Sequence, residues 1–226
     1  PPPPRIARDP ERRALVNAMG LPNPGAEAAA AALARSPRTT SRWVSLADEE
    51  LPDAVAALEL VASQADAIEL NASSPNAGWV HRADHVAAIT TAFTRRTDRP
   101  VFVKLPPFTD EASREGVLAM AAAAVDAGAR GLTCGNTVPV EDARMPTGRG
   151  GLSGGPLTGQ TPELVAAVRA ATGARVPVNA CGGIFTAEDA RACLVAGAAT
   201  VQVYTGLIYG GPRLAGSVTR GLVRGA

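Results

Sequence analysis

Residues 176–206, VPVNACGGIFTAEDARACLVAGAATVQVYTG, decide the fold of this chain. Val176–Ala180 and Thr200–Tyr204 are short apolar runs, which predicts two buried strands. Between them, Thr186 precedes Ala-Glu-Asp and an apolar pattern of helical period, which predicts a capped helix. Each strand leads directly into a glycine turn, Cys181-Gly182-Gly183 after the first and Tyr204-Thr205-Gly206 after the second. Paired glycine turns at the carboxyl ends of parallel strands are typical of phosphate-binding sites in α/β barrels, although either turn alone would fit an ordinary strand-to-helix connection.

The same alternation of strand and helix continues back towards the start of the chain. The predicted strands are 42–47, 66–71, 101–105 and 131–134, with helices over 54–63, 84–96 and 111–128. A further helix over 161–173 has Thr161 as its expected N-cap, Pro162 at its first position and Gly173 at its end. Because the strands are almost continuously apolar, the pattern predicts a parallel sheet covered by helices.

Counting strands back from the two glycine turns predicts an α/β fold of the (β/α)8, or TIM, barrel class. Such a barrel has eight strands, and its phosphate site follows strands seven and eight. Six strands are predicted, and the helix over 24–36 precedes the first of them. We therefore expect residues 1–226 to form a single barrel domain that holds strands 3 to 8, with the first two strands missing from this chain. Pro1–Pro4 then belong to an exposed loop, and an open six-stranded sheet remains the alternative.

Composition excludes several classes of protein. The chain has 226 residues, 46% of them hydrophobic, and a formal net charge of +1, which is typical of a globular domain. It has no basic block and few aromatic residues, so we expect no nucleic-acid partner. It also lacks an apolar run of about 20 residues, so we expect no membrane span. Cys134, Cys181 and Cys193 form no CxxC pair, which favours reduced thiols in the cytoplasm.

Polar side chains stand where the predicted strands end. Asn71 and Asn136 each follow a strand, Asn17 lies in the segment ALVNAMGL, and Lys104 lies inside the apolar strand VFVKL. A buried amide or ammonium group left without a partner costs roughly 1–3 kcal/mol, so these residues predict a polar cavity for a flat ligand. A cation in a core strand fits an anionic cofactor such as a reduced flavin, and the alternative is a structural ion pair.

Taken together, seven motifs in this order resemble the dihydroorotate dehydrogenase family. Five of them are IELNASSPN (68–76), VFVKLP (101–106), GGLSGGPL (150–157), CGGI (181–184) and AGAATVQVYTG (196–206). The opening PRIAR (4–8) and NAMGL (17–21) complete the set and correspond to the second loop of family members.

The resemblance implies that the chain binds FMN and oxidises dihydroorotate to orotate in pyrimidine biosynthesis. It implies that Ser74 is the base that takes the C5 proton while a hydride leaves C6. It implies the cofactor-binding residues Ser45, Asn71, Lys104, Gly135, Gly154, Gly182, Gly183, Tyr204 and Thr205. It implies the substrate-binding residues Asn17, Gly20, Leu21, Asn71, Asn76, Asn136 and Thr137, and no metal site.

Serine at the position of the base implies the quinone-linked, membrane-associated group of this family. A quinone is then the expected electron acceptor. The expected location is the cytoplasm, with peripheral contact on the inner face of the cell membrane through helices that would precede Pro1.

Several positions depart from the family pattern and leave other functions open. Ala18 replaces an arginine, Ala77 replaces a threonine, and Ser45 stands nearest to a missing asparagine. The flavin-binding loop of the first strand is absent as well. The alternatives are a non-catalytic barrel that binds a flavin or phosphate, and an FMN oxidoreductase for a related cyclic substrate.

Other catalytic centres have weaker support in the sequence. His81 and His85 have helical spacing but no third zinc ligand. A Ser–His–Asp triad at Ser74 lacks the nucleophile-elbow motif, and the run 149–155 lacks the GK[ST] ending of a nucleotide-binding loop.

Overall fold

The computed structural model describes residues 1–47, 50–74 and 82–225. Its strands, in chain order, are β1 (Ile6–Asp9), β2 (Ala14–Asn17), β3 (Trp43–Ala47), β4 (Ala67–Asn71), β5 (Val101–Leu105), β6 (Gly131–Cys134), β7 (Val138–Glu141), β8 (Arg149–Gly154), β9 (Val178–Cys181) and β10 (Thr200–Gln202). Its α-helices are α1 (Ala26–Arg35), α2 (Leu51–Val61), α3 (Ala83–Thr94), α4 (Glu111–Asp126), α5 (Gln160–Ala171), α6 (Ala187–Val195), α7 (Thr205–Gly210) and α8 (Leu214–Arg224). No helix in these described ranges is long and apolar enough to cross a membrane.

Six strands form one parallel sheet in the order β10-β9-β6-β5-β4-β3. One face of this sheet is apolar: Leu70 is paired with Val103, and Val103 with Leu132. These side chains are fully buried in the core cluster that the covering helices complete, and each contributes about 1.5–3 kcal/mol through burial. The strands expected over 42–47, 66–71, 101–105, 131–134, 176–180 and 200–204 are all confirmed, the last as the shorter Thr200–Gln202.

The other face of the parallel sheet is polar, because successive side chains of a strand point to opposite faces. Asn71 is paired with Lys104, and Lys104 with Thr133 on the next strand. The carboxyl ends of all six strands lie at one edge, so the polar residues at those ends are brought together. This edge positions the candidate site.

A second, antiparallel sheet in the order β1-β2-β8-β7 was not predicted from the sequence. Its four strands are four to six residues long. Strand β8 is half glycine, which weakens the usual strand signal. Gly151 is required there, because a Cβ atom at this position would collide with the Thr137 hydroxyl. The sheet joins two distant parts of the chain, since Asn17 is paired with Gly151.

The expected cap of α5 is wrong. The helix begins at Gln160, so Thr161 lies inside its first turn. Its hydroxyl donates to backbone carbonyls instead of accepting from an N–H group. In contrast, Thr186 caps α6 as expected, in a reciprocal capping box with Asp189. Pro1–Pro4 are exposed, also as expected.

Candidate active site

Two cavities meet at the carboxyl edge of the parallel sheet. The inner cavity, of about 290 Å³, is lined by the glycine turns after β9 and β10. The outer cavity, of about 580 Å³, is lined by the ends of β2, β4 and β8. Five residues line both cavities and form their common wall: Asn17, Met19, Lys104, Asn136 and Thr137.

The inner cavity has an anion-binding cradle of backbone groups. The N–H groups of Gly183, Ile184, Thr205 and Gly206 line it and donate no hydrogen bond to any described residue. Gly183 has φ +69, and a Cβ atom there would collide with the backbone of Thr158. Free N–H groups at a glycine turn favour a phosphate or carboxylate.

Two threonines hold the carbonyl side of this cradle. The Thr158 hydroxyl donates to the Gly183 carbonyl at 2.8 Å, and the Thr161 hydroxyl lies 3.0 Å from the Gly182 carbonyl. Both threonines stand at the start of α5 or just before it. These two hydrogen bonds fix the orientation of the two glycine peptide groups. The N–H groups of these peptides are therefore already oriented before a ligand binds.

Hydrogen bonds from side-chain hydroxyl groups connect the antiparallel sheet to the chain segment that follows β10, part of which lines the inner cavity. Ser153 on β8 and Thr205 have their oxygens 2.8 Å apart. The Tyr209 hydroxyl donates to the Ala14 carbonyl at 2.7 Å. Tyr204 lines the same cavity but is 71% exposed, so most of its surface faces solvent.

In the outer cavity, three polar residues from two strand ends form one hydrogen-bonded unit. Ser73 donates its hydroxyl to Asn71 Oδ1 at 2.5 Å and accepts from Asn136 Nδ2 at 2.7 Å. Asn136 Oδ1 in turn accepts the Thr137 backbone N–H at 2.8 Å. The Asn71 Nδ2 group is therefore left to donate to a ligand. Ser74 lines the same cavity and is only 4% exposed.

Residues on and after β2 form the opposite wall of the outer cavity. The Asn17 Nδ2 group donates to the Gly151 carbonyl at 3.2 Å. Gly20 and Leu21 follow with φ +69 and +54. A non-glycine residue with positive φ costs on the order of 1 kcal/mol or more, and such strain is concentrated at functional sites.

A buried carboxylate lies on the polar face of the sheet. Glu69 is 7% exposed and accepts from the Ser45 hydroxyl at 3.0 Å and from the Thr133 hydroxyl at 2.8 Å. Asn179 extends this network towards β10 through Thr200, at 2.6 Å. These two hydroxyls provide the hydrogen bonds that a buried carboxylate requires.

The cysteine thiols are protonated at neutral pH. Burial raises the pKa of Cys134 to about 12 and that of Cys193 to about 11, the latter with a smaller contribution from Asp189. Burial also raises the pKa of the Cys181 thiol, although the positive charge of Lys104 opposes the shift. Cys181 lines the inner cavity and also a third cavity of about 470 Å³ beside the start of α5, here called the side cavity.

The structure brings most of the sequence-predicted site residues to these two cavities. The inner cavity contains Lys104, Gly154, Gly182, Gly183, Tyr204 and Thr205. The outer cavity contains Asn17, Gly20, Leu21, Asn71, Ser74, Lys104, Asn136 and Thr137.

Two predicted site residues lie elsewhere, and a third is not among the described residues. Ser45 lines neither cavity and bonds Glu69 instead, whereas Gly135 lines only the side cavity. Asn76 lies outside the described residues. A Cβ atom at Gly135 would collide with the Cys181 carbonyl, so this glycine allows β6 and β9 to approach each other closely.

The sequence interpretation missed several lining residues, chiefly Met19, Ser153, Gln202 and Arg149. Gln202 precedes the glycine turn at Tyr204-Thr205-Gly206, and strand alternation places it on the same face as the polar residues, whereas Ser153 lies on the unpredicted strand β8. That alternation was the signal that could have identified Gln202. His81, one half of the weak zinc motif, lies outside the described residues, and the described part of the chain contains no cluster of three or more potential metal ligands.

Comparison with known proteins identifies the family. The family model described as dihydroorotate dehydrogenase matches residues 1–225. The protein named dihydroorotate dehydrogenase (quinone) from Deinococcus deserti is 39% identical over 97% of this chain and 66% of its own length. The protein of the same name from Deinococcus radiodurans is 38% identical over 98% of this chain and 65% of its own length. The chain thus spans about two thirds of these curated relatives.

Solved structures support the same assignment. A ligand-free DHODH from Eimeria tenella superposes with a TM-score of 0.86 at 26% identity, over 99% of this chain and 73% of that one. A complex of the Eimeria tenella protein with ferulenol gives 0.85 at 27% identity, over 99% and 70%. The predicted fold class is confirmed by this likeness, with six parallel strands forming a half-barrel. The chain therefore belongs to the dihydroorotate dehydrogenase family.

Proposed function

We propose that this chain carries the flavin- and substrate-binding face of an enzyme that oxidises dihydroorotate to orotate, with FMN as cofactor and a quinone as electron acceptor. The observation that carries the proposal is the position of Lys104 in the wall between a cradle for an anion and a cavity lined by amides. Family membership and relatives named dihydroorotate dehydrogenase (quinone) support the reaction and the acceptor.

The residues around the inner cavity fit FMN. Free N–H groups of Gly183, Ile184, Thr205 and Gly206 suit its phosphate. Lys104 lines the same cavity and would contact the ring system. When bound, FMN would supply a two-electron acceptor that takes the hydride from C6 of the substrate. A cation there favours the negative charge that reduction brings to the ring.

The outer cavity fits a cyclic amide such as dihydroorotate. With Asn71 Oδ1 and Asn136 Nδ2 both bonded to Ser73, the Asn71 Nδ2 group has a fixed orientation and donates to a ring carbonyl. Asn17 is fixed from the other side by Gly151. We propose that these residues orient the ring so that C5 points at Ser74 and C6 at the inner cavity.

Ser74 is the proposed base for the C5 proton. A serine hydroxyl is a weak base in water, and near-complete burial removes the competing solvent. The C5 proton would move to Ser74 Oγ as the hydroxyl proton of Ser74 passes through a relay to bulk water. We propose the remaining cofactor and substrate contacts as predicted above, a single barrel domain, and peripheral contact with the inner face of the cell membrane.

The test is anaerobic addition of dihydroorotate to the purified protein. We expect a yellow protein whose flavin absorbance bleaches on addition. Ser74→Ala should keep the flavin and lose most of the bleaching, whereas Ser63→Ala, at an exposed serine, should behave as wild type. A colourless protein that takes up no FMN would contradict the cofactor assignment. Bleaching unchanged in Ser74→Ala would exclude this serine as the base.

A further inference from the structure

The outer cavity carries a cation that the proposed mechanism does not use. Arg149, the first residue of β8, lines this cavity together with Lys104. Every other described residue that lines it is uncharged in its side chain, and none is acidic. The cavity is therefore electropositive, which favours an anionic ligand over a neutral one of the same shape.

Arg149 is held at this wall by its backbone. The Thr147 hydroxyl donates to the Arg149 carbonyl at 2.7 Å and fixes the turn that precedes β8. Two residues further along, Gly151 packs directly against Thr137 and pairs with Asn17. Arg149 thus has a defined position relative to two other residues of the same cavity.

The guanidinium group itself is available to a ligand. It makes no hydrogen bond or ion pair with any residue that the structure describes. Glu141 lies opposite it on β7, yet the two form no ion pair within 4.0 Å. By contrast, Arg144 in the same hairpin is fully engaged with Asp142. An exposed arginine that lines a cavity without a partner can offer its planar donors to a carboxylate.

We infer that Arg149 is the specificity-determining residue of the outer cavity and selects ligands that carry a carboxylate on a flat ring. The inference rests on the proposed function in that it names the feature of the substrate that this cavity recognises. Ala18, the residue after Asn17, lines the same cavity and brings no charge to it. Lys104 lies in the wall shared with the inner cavity and would serve the cofactor, so among the described residues Arg149 is the cation left for the substrate.

The experiment compares pairs of ring compounds that differ in a carboxylate. Binding of orotate and uracil, of nicotinate and nicotinamide, and of benzoate and benzamide is measured by calorimetry on the protein as purified. We expect wild type to bind the carboxylate more tightly than its neutral partner in at least one pair. Arg149→Ala should raise the dissociation constant of that carboxylate by about tenfold or more, and should change that of the neutral partner by less than about twofold. Arg149→Lys should recover part of the loss, since it restores charge without the planar fork.

A matched control separates this effect from net charge. Arg130→Ala removes an exposed arginine at the opposite end of the barrel, just before β6, and should leave every affinity unchanged. Glu141→Gln tests whether the facing carboxylate competes for Arg149, and should leave carboxylate binding equal or tighter.

The outcomes distinguish this inference from the proposed function. If wild type fails to bind orotate but prefers nicotinate or benzoate through Arg149, the substrate assignment fails and the inference stands. If orotate binds equally well to wild type and Arg149→Ala, the inference is overturned and the proposed function stands. If no carboxylate is preferred over its neutral partner, the inference is overturned as well.

Discussion

The Asn136 amide donates to the Ser73 hydroxyl over 2.7 Å, although the two residues are 63 positions apart in the chain. Ser73 is 3% exposed, and its hydroxyl also bonds Asn71. One buried hydroxyl therefore sets the direction of two amides that line the outer cavity.

Ser73→Ala should weaken ligand binding because Ser73 orients two amides of the outer cavity, and not because Ser73 itself contacts the ligand. Both amides lose a fixed partner, and a lost buried hydrogen bond is worth roughly 1–3 kcal/mol, or about 5- to 150-fold in affinity. We expect the orotate dissociation constant to rise within this range while FMN content stays unchanged, as measured by calorimetry and flavin absorbance. Orotate affinity equal to that of wild type would show that Ser73 is not what orients these amides.

Thr161→Val should weaken the binding of FMN more than the binding of riboflavin, because riboflavin lacks the phosphate. The hydroxyl of Thr161 anchors the Gly182 carbonyl at 3.0 Å, so its loss loosens the cradle and leaves the ring site intact. We expect the ratio of the riboflavin dissociation constant to the FMN dissociation constant to fall by about threefold to tenfold. Thr161→Ser should restore it. An equal loss for both flavins would point to general destabilisation of the site.

Gly183→Ala should abolish retention of FMN. Alanine there must adopt a positive φ, and its Cβ atom collides with the backbone of Thr158. Gly173→Ala is the matched control, because Gly173 has φ +59 and open space around it. We expect the control to lose about 1 kcal/mol of stability and to keep its flavin. If both variants keep flavin, the cradle does not need this close approach.

Thr133→Val should lower the free energy of unfolding, whereas Thr90→Val should leave it unchanged or raise it. The Thr133 hydroxyl is buried and donates to the Glu69 carboxylate at 2.8 Å, so its removal should lower the free energy of unfolding by about 1.5–3 kcal/mol. The Thr90 hydroxyl is equally buried but has no hydrogen-bond partner among the described residues. Its replacement should be neutral or stabilising by up to about 1 kcal/mol. Urea unfolding of both variants measures the difference, and equal losses would argue against the Glu69 network.

Asp142 should make the antiparallel sheet sensitive to acid. Hydrogen bonds from Arg144 lower the pKa of Asp142 to about 2, below the unfolded value of about 3.9. A lowered pKa contributes stability above the unfolded value and loses it as pH falls through the folded one. The stability difference between wild type and Asp142→Asn should therefore be largest above pH 4 and vanish near pH 2. A difference that is independent of pH would exclude this ion pair as its cause, and Asp98→Asn, at an exposed carboxylate without a described ion pair, is the control.

The parallel sheet could be predicted because each of its strands has a local signal. Apolar runs such as Val101–Leu105 end in turn residues, and the helix after β9 has a recognisable cap at Thr186. The antiparallel sheet has no such signal. The pairing of Asn17 with Gly151 depends on contacts between segments 134 positions apart, and glycine has low strand propensity.

The candidate site could be predicted wherever a functional residue is unusual in its local sequence. Asn71 and Lys104 are polar residues in apolar strands, which is unusual at any position. Arg149 gave no such signal, because an arginine beside glycines is ordinary in a surface loop. Its place in the cavity follows only from the sheet that the sequence did not reveal. The hydrogen bond from Ser45 to Glu69 was likewise hidden, since it depends on the register of β3 against β4.

The pairing of β2 with β8 also has a consequence for how the protein is made. Asn17 emerges from the ribosome well before Gly151, its partner across the sheet. At roughly 5–20 residues per second, the early strand waits on the order of ten seconds with one edge unpaired. Tyr209, which bonds Ala14, arrives later still. The inner cavity is therefore complete only once Gly206 has been translated, so a bound cofactor cannot stabilise the nascent chain before that point.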